Sequence, residues 1–165
     1  MLCIDDVKWV FCLEEDFSYD SGILIPQKSI FRDIDGEIRL IIDKDGTLTV
    51  KKGYAWNGCS PKLCLFDIVI GTPDGVVHRD TGKPKTYYAT CIHDALYQFM
   101  QEIAPLTRTD TDRIFLELMV ESKFRFAYIY WFFVRIFGRI FWRTKKKTRN
   151  WQGKREVIPD NDGKE

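Results

Sequence analysis

The first third of the chain alternates short apolar runs with turn dipeptides. In the segment SIFRDIDGEIRLIIDKDGTLTVKKGYAW, residues 29–56, Asp35-Gly36 and Asp45-Gly46 separate runs rich in Ile, Leu, Val and Thr. An Asp-Gly pair between such runs is a strong short-range signal for a β-hairpin. This half of the chain is therefore predicted to be an antiparallel β-meander, and the Gly- and Pro-rich residues 57–86 to be loops around the apolar segment 63–70.

The hydrophobic period changes near Tyr88. Ile92, Leu96, Phe99 and Ile103 follow helical spacing, and Pro105 ends that run. Further helices are predicted over TRTDTDRIFLELMVESK and FRFAYIYWFFVRIFGRIFWR. The pattern favours an α+β fold in which an N-terminal antiparallel β-meander packs against three C-terminal α-helices. We expect one domain over residues 1–143 and a basic, partly disordered tail over 144–165.

Composition fits a single core, and the charge is unevenly placed. The chain has 165 residues and 45% hydrophobic content, which suits one domain. The formal net charge is only +1, yet residues 1–20 hold six acidic residues and one lysine, whereas residues 139–155 hold eight Lys and Arg and no acidic residue. An anionic partner is therefore expected at the C-terminal end.

The cysteines and the N-terminal sequence indicate the cellular compartment of the protein. The five cysteines match neither a paired CxxC zinc site nor a small disulfide framework. The start MLCIDDVKW lacks the basic and apolar regions of a secretory signal. We expect a reducing, intracellular setting.

Candidate chemistry lies in the segment YYATCIHDALYQFMQ. On a helix His93 and Tyr97 share a face, and Asp94 lies about 100° around the axis. Asp112 occupies the apolar stripe of the next helix, three and seven residues before Phe115 and Met119. A buried carboxylate requires partners, and His93 and Tyr97 are suitable donors.

Two interpretations of Asp112 follow. It can orient His93, whose other ring nitrogen is then free to act as a general base. Alternatively, Thr109 and Asp112 form a capping box that satisfies amide groups at the helix start. In the first case, Asp94 supplies an oxygen ligand for a divalent cation such as calcium, and the segment WNGCSP completes an oxygen-rich site through its backbone carbonyls and the Asn57 side chain.

Four motifs together resemble an uncharacterised family of phage and prophage proteins. They are GYAWNGCSP, IHDALYQ, TDTDRIF and YWFFVRIFG, and the resemblance covers roughly residues 50–142. The family has no established activity, so the resemblance implies only a viral origin. Most members read Trp-Asp-Gly-x-Ser in the first motif, where this chain has Asn57.

The His-Asp-x-x-Tyr motif also resembles the active site of phospholipase A2. The resemblance implies that His93 is the base, that Tyr97 and Asp112 orient it, and that Asp94 binds calcium with the loop residues Trp56, Asn57 and Gly58. Taken together, the two resemblances imply a phage-encoded hydrolase that cleaves an ester, most simply a lipid ester. The alternative is a non-enzymatic phage accessory protein that binds a host partner or small ligand in the same cleft. Asn57 removes an acidic charge from the cation site and should weaken cation affinity.

The third predicted helix suggests a membrane surface. Its longest uncharged stretch, residues 126–134, is nine residues, whereas a bilayer span needs about 20. Arg135, Arg139 and Arg143 recur every four residues and predict a cationic stripe that contacts anionic lipid. In the alternative, the aromatic sides cover the sheet and the arginines face water. We expect a protein of the host cytoplasm, peripheral at the membrane, and we expect no nucleic-acid partner.

Overall fold

A computed structural model describes residues 11–56, 58, 63–65, 68–70, 77–79, 81–99, 106–136 and 154–158. The strands are β1 Phe11–Cys12, β2 Phe17–Asp20, β3 Lys28–Arg32, β4 Ile38–Ile42, β5 Thr47–Val50, β6 Ala55–Trp56, β7 Leu63–Leu65, β8 Ile68–Ile70 and β9 Lys154–Ile158. The helices are α1 Tyr87–Phe99, α2 Arg108–Glu121 and α3, which covers 127–136. The predicted α+β fold is confirmed, with an antiparallel sheet from the N-terminal half and helices in the C-terminal half, except that β9 follows the helices.

The main sheet is antiparallel and has the strand order β2-β5-β4-β3-β9. Strands β3, β4 and β5 are consecutive neighbours, so the predicted meander is correct for this part. Strand β2 pairs with β5 and forms one edge of the sheet. Two small antiparallel pairs, β1-β6 and β7-β8, accompany the main sheet.

The other edge of the sheet is formed by β9. Residues Lys154–Ile158 pair with β3, and Arg32 contacts Glu156 at 3.4 Å across the pair. These five residues belong to the sheet, although they lie in the segment predicted to be a partly disordered tail. The sequence KREVI is too polar for its pattern to predict a strand. An edge strand forms through backbone pairing and does not require an apolar face.

One face of the sheet supplies one layer of the core. The inward residues alternate along the strands, as the two-residue period of a strand requires, and include Leu40, Ile42, Leu48 and Val50, all fully buried. Helix α1 contacts β4 and β5 and packs side by side with α2. The helices contribute Ile92, Leu96, Ile114, Phe115 and Met119 to the same core. The sheet therefore serves as the platform on which α1 rests.

Within the described ranges, none of the helices combines the length and the apolar character needed to cross a bilayer.

The hairpin between β4 and β5 turns on Gly46, whose φ is +90°. A Cβ added there would lie 2.6 Å from the carbonyl oxygen of Ile23. Gly36, in the hairpin before β4, has φ +84° but nothing within 4 Å of such a Cβ. A residue with a side chain would be strained at the positive φ of either position. At position 46 its Cβ would also clash with the backbone of Ile23.

We expect Gly46→Ala to destabilise the fold more than Gly36→Ala does. Left-handed strain should cost about 1–2 kcal/mol at either position, and the clash with Ile23 should add about 1–3 kcal/mol at position 46. Urea unfolding of both variants measures the difference. Equal losses of unfolding free energy would mean that the turn adjusts to remove the clash.

Candidate functional site

Helix α1 presents His93 and Tyr97 one turn apart, toward α2. The helix is held to the sheet side by the indole of Trp56, which donates a hydrogen bond to Thr90 at 3.0 Å. Thr90 also donates to the Tyr87 carbonyl at 3.0 Å. His93 is buried, with its side chain 11% exposed. The hydrogen bond from Trp56 helps to fix the rotation of α1, and the imidazole of His93 is directed at α2.

Helix α2 begins with a capping box formed by Thr107 and Asp110. The backbone amide of Asp110 donates to the Thr107 hydroxyl at 3.2 Å, and the amide of Thr107 donates to the Asp110 carboxylate at 2.9 Å. The alternative in which Thr109 and Asp112 form the box is therefore wrong. Because Asp110 satisfies the helix start, the carboxylate of Asp112 is available to the interior, where it is fully buried.

Asp112 accepts hydrogen bonds from α1. The hydroxyl of Tyr97 donates to Oδ1 at 2.5 Å, and Nε2 of His93 lies 3.4 Å from the same oxygen. The rings of His93 and Tyr97 lie 4.1 Å apart, and Phe115 covers the imidazole at 4.7 Å. The prediction that Asp112 reaches His93 or Tyr97 is confirmed.

Two arginines balance the buried charge of Asp112. Nη1 of Arg135 lies 3.2 Å from Oδ2, and Nε of Arg108 lies 3.5 Å from it. Arg108 also donates to the Tyr97 hydroxyl at 3.2 Å. Arg135 was predicted to contact a membrane, whereas in the structure its guanidinium contacts Asp112 and the Thr109 hydroxyl.

Arg108 was missed by the sequence reasoning. It precedes Asp112 by four residues on the same helix, and this i, i+4 spacing is the signal that could have identified it. We call His93, Asp94, Tyr97, Arg108, Asp112 and Arg135 the His93 cluster.

The two nitrogens of His93 have different surroundings. Nε2 faces the buried Asp112, whereas Nδ1 lies 3.7 Å from the carboxylate of Asp94, which is partly exposed. A separation of 3.7 Å exceeds hydrogen-bond distance. Nδ1 is therefore the ring nitrogen on the outer side of the cluster, beside a carboxylate that does not hold it in a short hydrogen bond.

The cluster shifts its pKa values in opposite directions. Burial disfavours the imidazolium, but the Asp112 and Asp94 carboxylates outweigh burial and raise the pKa of His93 above its ordinary value. Burial likewise opposes ionisation of Asp112, yet its contacts with His93, Tyr97 and Arg108 lower the pKa of that carboxyl. Burial and the adjacent Asp112 charge raise the pKa of the Tyr97 phenol, so it remains a donor.

The predicted cation loop is only partly described. Trp56 is 1% exposed and packs in an aromatic cluster with Tyr54 and Tyr87, so its side chain is a core element. Gly58 is buried with φ +78°, and Asn57 lies outside the described residues, as do Arg139 and Arg143. In the described part of the chain, no three His, Cys, Asp or Glu side chains converge as a metal site would require. Binding of a cation by Asp94 and the loop stays a prediction.

A separate cavity of about 170 Å³ lies beside the first turn of α1, where Tyr88 lines it, and no member of the His93 cluster lines it. Its walls include Glu14, Glu15, Asp16, Lys83 and Tyr88. Nζ of Lys83 lies 4.7 Å from the centroid of the Tyr87 ring and 4.0 Å from the Glu14 carboxylate. The cavity is therefore separate from the His93 cluster.

Comparison with known proteins adds no relative: no family model, curated protein or solved structure matches the chain.

Asp112→Asn should lower the pKa of His93. The imidazole stays buried while it loses its anionic partner, so burial outweighs what remains of the opposing attraction. The substitution should also cost about 3–5 kcal/mol of unfolding free energy, because Arg108 and Arg135 lose their shared partner. NMR titration of the His93 ring protons in both proteins measures the shift. An unchanged His93 pKa would show that Asp112 does not act on the ring.

Proposed function

We propose that the chain is a phage-encoded hydrolase of the host cytoplasm, in which His93 is the general base for hydrolysis of an ester, with a lipid ester as the first candidate substrate. The observation that supports this proposal is the pairing of His93 with a fully buried, doubly neutralised Asp112. A carboxylate at one ring nitrogen fixes the imidazole tautomer and orients the ring. The phage origin is proposed from the four motifs alone.

Asp112 favours the tautomer in which Nε2 carries the proton, because Oδ1 can accept it at 3.4 Å. Nδ1 then holds the lone pair on the outer side of the cluster. In the proposed reaction, Nδ1 takes a proton from water as the water oxygen attacks the ester carbonyl carbon. The C–O bond of the tetrahedral intermediate breaks, and the leaving alkoxide takes the proton back from His93.

The charges around the imidazole suit this cycle. The imidazolium formed during attack lies between Asp94 and Asp112, which stabilise its positive charge. Arg108 and Arg135 keep Asp112 ionised, so that it does not itself remove the proton from Nε2. Asp94 and the carbonyl groups of residues 56–58 would hold the divalent cation, calcium in the first instance, whose chemistry is to polarise the ester carbonyl.

The second candidate is a non-enzymatic phage accessory protein that binds a host partner or small ligand in the same cleft. The low exposure of the His93 side chain, 11%, favours the non-enzymatic part of this candidate, since a base must be reached by its substrate. In that case the His93 cluster serves to join the three helices. The two candidates differ in one measurable property, turnover of an ester.

His93→Gln should abolish hydrolysis, because an amide can still donate to Asp112 but cannot take a proton from water. His78→Gln is the matched control, since His78 is the other of the two histidines and contacts no member of the cluster in the described residues. The assay uses a panel of phospholipid and short-chain esters with and without calcium, and thermal melting of each variant.

If wild type and the His78→Gln variant hydrolyse an ester and the folded His93→Gln variant does not, the assignment of His93 as the general base is supported. Absence of turnover by wild type on the whole panel, or equal turnover by His93→Gln, would exclude the proposed reaction and favour the accessory protein.

The rate should rise with pH through the raised pKa of His93, because only the neutral imidazole is a base. Fold stability should change in the opposite sense. Protonated His93 contributes stability in full below pH 6.5, its ordinary pKa, and this contribution is lost as the pH rises through the higher folded pKa. Asp112 contributes stability above pH 3.8 that is lost as the pH falls through its lowered pKa. Hydrolysis rates and melting temperatures measured over the same pH series test both pH dependences. A rate that falls as the pH rises would contradict the assignment of His93 as the general base.

A further inference from the structure

Helix α3 exposes an apolar face. Tyr128, Ile129, Phe132 and Ile136 are 67, 52, 54 and 46% exposed. At 100° per residue these four side chains fall within an arc of roughly 100° on the helix surface. Ala127 and Val134, on the opposite side, are buried. We call Tyr128, Ile129, Phe132 and Ile136 the outer face of α3.

The outer face is fixed in direction by the His93 cluster. Nη2 of Arg108 donates to the carbonyl oxygens of Val134 and Arg135 at 3.3 and 2.7 Å, and Arg135 reaches Asp112 from the edge of the helix. These bonds attach α3 to α2 through the backbone as well as through side chains. The helix therefore cannot roll to bury its outer face without breaking them.

The charge of residues 123–155 indicates which kind of partner binds the outer face. Residues 123–155 contain eleven Lys and Arg and no Asp or Glu, whereas the chain as a whole carries a net charge of only +1. A second copy docked on the same face would bring two such segments together, and their repulsion opposes a dimer. A nucleic acid would satisfy the charge but offers no surface to an arc of Ile and Phe side chains.

We propose that the outer face of α3 docks on an anionic phospholipid bilayer. Aliphatic and aromatic side chains would enter the headgroup boundary, and the positive charge of residues 123–155 would attract anionic lipid. This binding does not depend on whether His93 is a base. It also differs from the stripe predicted from the arginines, because Arg135 faces Asp112 and the insertion is carried by apolar side chains.

Vesicle co-sedimentation tests the proposal with two double variants of matched chemistry. Phe132→Ser/Ile136→Ser removes exposed apolar groups from the outer face, and Leu24→Ser/Ile34→Ser removes exposed apolar groups, 79 and 68% exposed, outside the helices. The probes are vesicles of phosphatidylcholine alone and of equal parts phosphatidylcholine and phosphatidylglycerol. Thermal melting confirms that both variants fold.

Wild type should bind the vesicles that contain phosphatidylglycerol at low salt and dissociate from them as the salt concentration rises. It should not co-sediment with vesicles of phosphatidylcholine alone. The α3 variant should bind about tenfold or more weakly, since apolar insertion contributes to affinity, while the control variant should bind like wild type. Changing Lys145, Lys146 and Lys147 to Gln should weaken binding about fivefold for each charge removed.

Three outcomes of the vesicle experiments would overturn the proposal. They are no vesicle binding by wild type at low salt, equal binding by wild type and the α3 variant, and displacement of the protein from vesicles by duplex DNA with no difference between the two variants. A concentration-dependent dimer that the α3 variant abolishes would assign the face to a second copy instead.

Discussion

Burial of the Asp112 charge is the constraint on which the helical half depends. A carboxylate with no solvent contact costs several kcal/mol unless cations and donors surround it, and here each helix supplies some of them. Helix α1 contributes His93 and Tyr97, α2 contributes Arg108, and α3 contributes Arg135. The three helices therefore meet at one anion, and their mutual position is set by electrostatics as well as by apolar packing.

Stability and candidate chemistry consequently share the same contacts. The carboxylate that neutralises the arginines also orients the imidazole of His93 and raises its pKa. A more basic imidazole is a stronger proton acceptor but is protonated over a wider pH range. Nδ1 lies 3.7 Å from Asp94, so a second carboxylate lies beside the nitrogen that would take the proton from water. Catalysis and helix packing would thus change together under any substitution at Asp112.

The sheet positions α1, and α3 presents an exposed apolar face. The ring centroids of Phe31 on β3 and Phe99, the last residue of α1, lie 6.2 Å apart, and the hydrogen bond from Trp56 to Thr90 fixes the first turn of the same helix. These contacts hold α1 so that His93 points to α2. Helix α3 then uses its two sides differently, since Val134 is buried while Phe132 is exposed.

Local patterns in the sequence determined the hairpins, the helices and the anomalous aspartate, because strand and helix periods are set by backbone geometry. The Asp45-Gly46 turn and the position of Asp112 in an apolar stripe are of this kind. Only the tertiary structure decided which partner each polar group takes. Arg135 lies 23 residues from Asp112, and Arg32 lies 124 residues from Glu156 on β9. No local period connects such residues, since their proximity arises only when whole elements pack together.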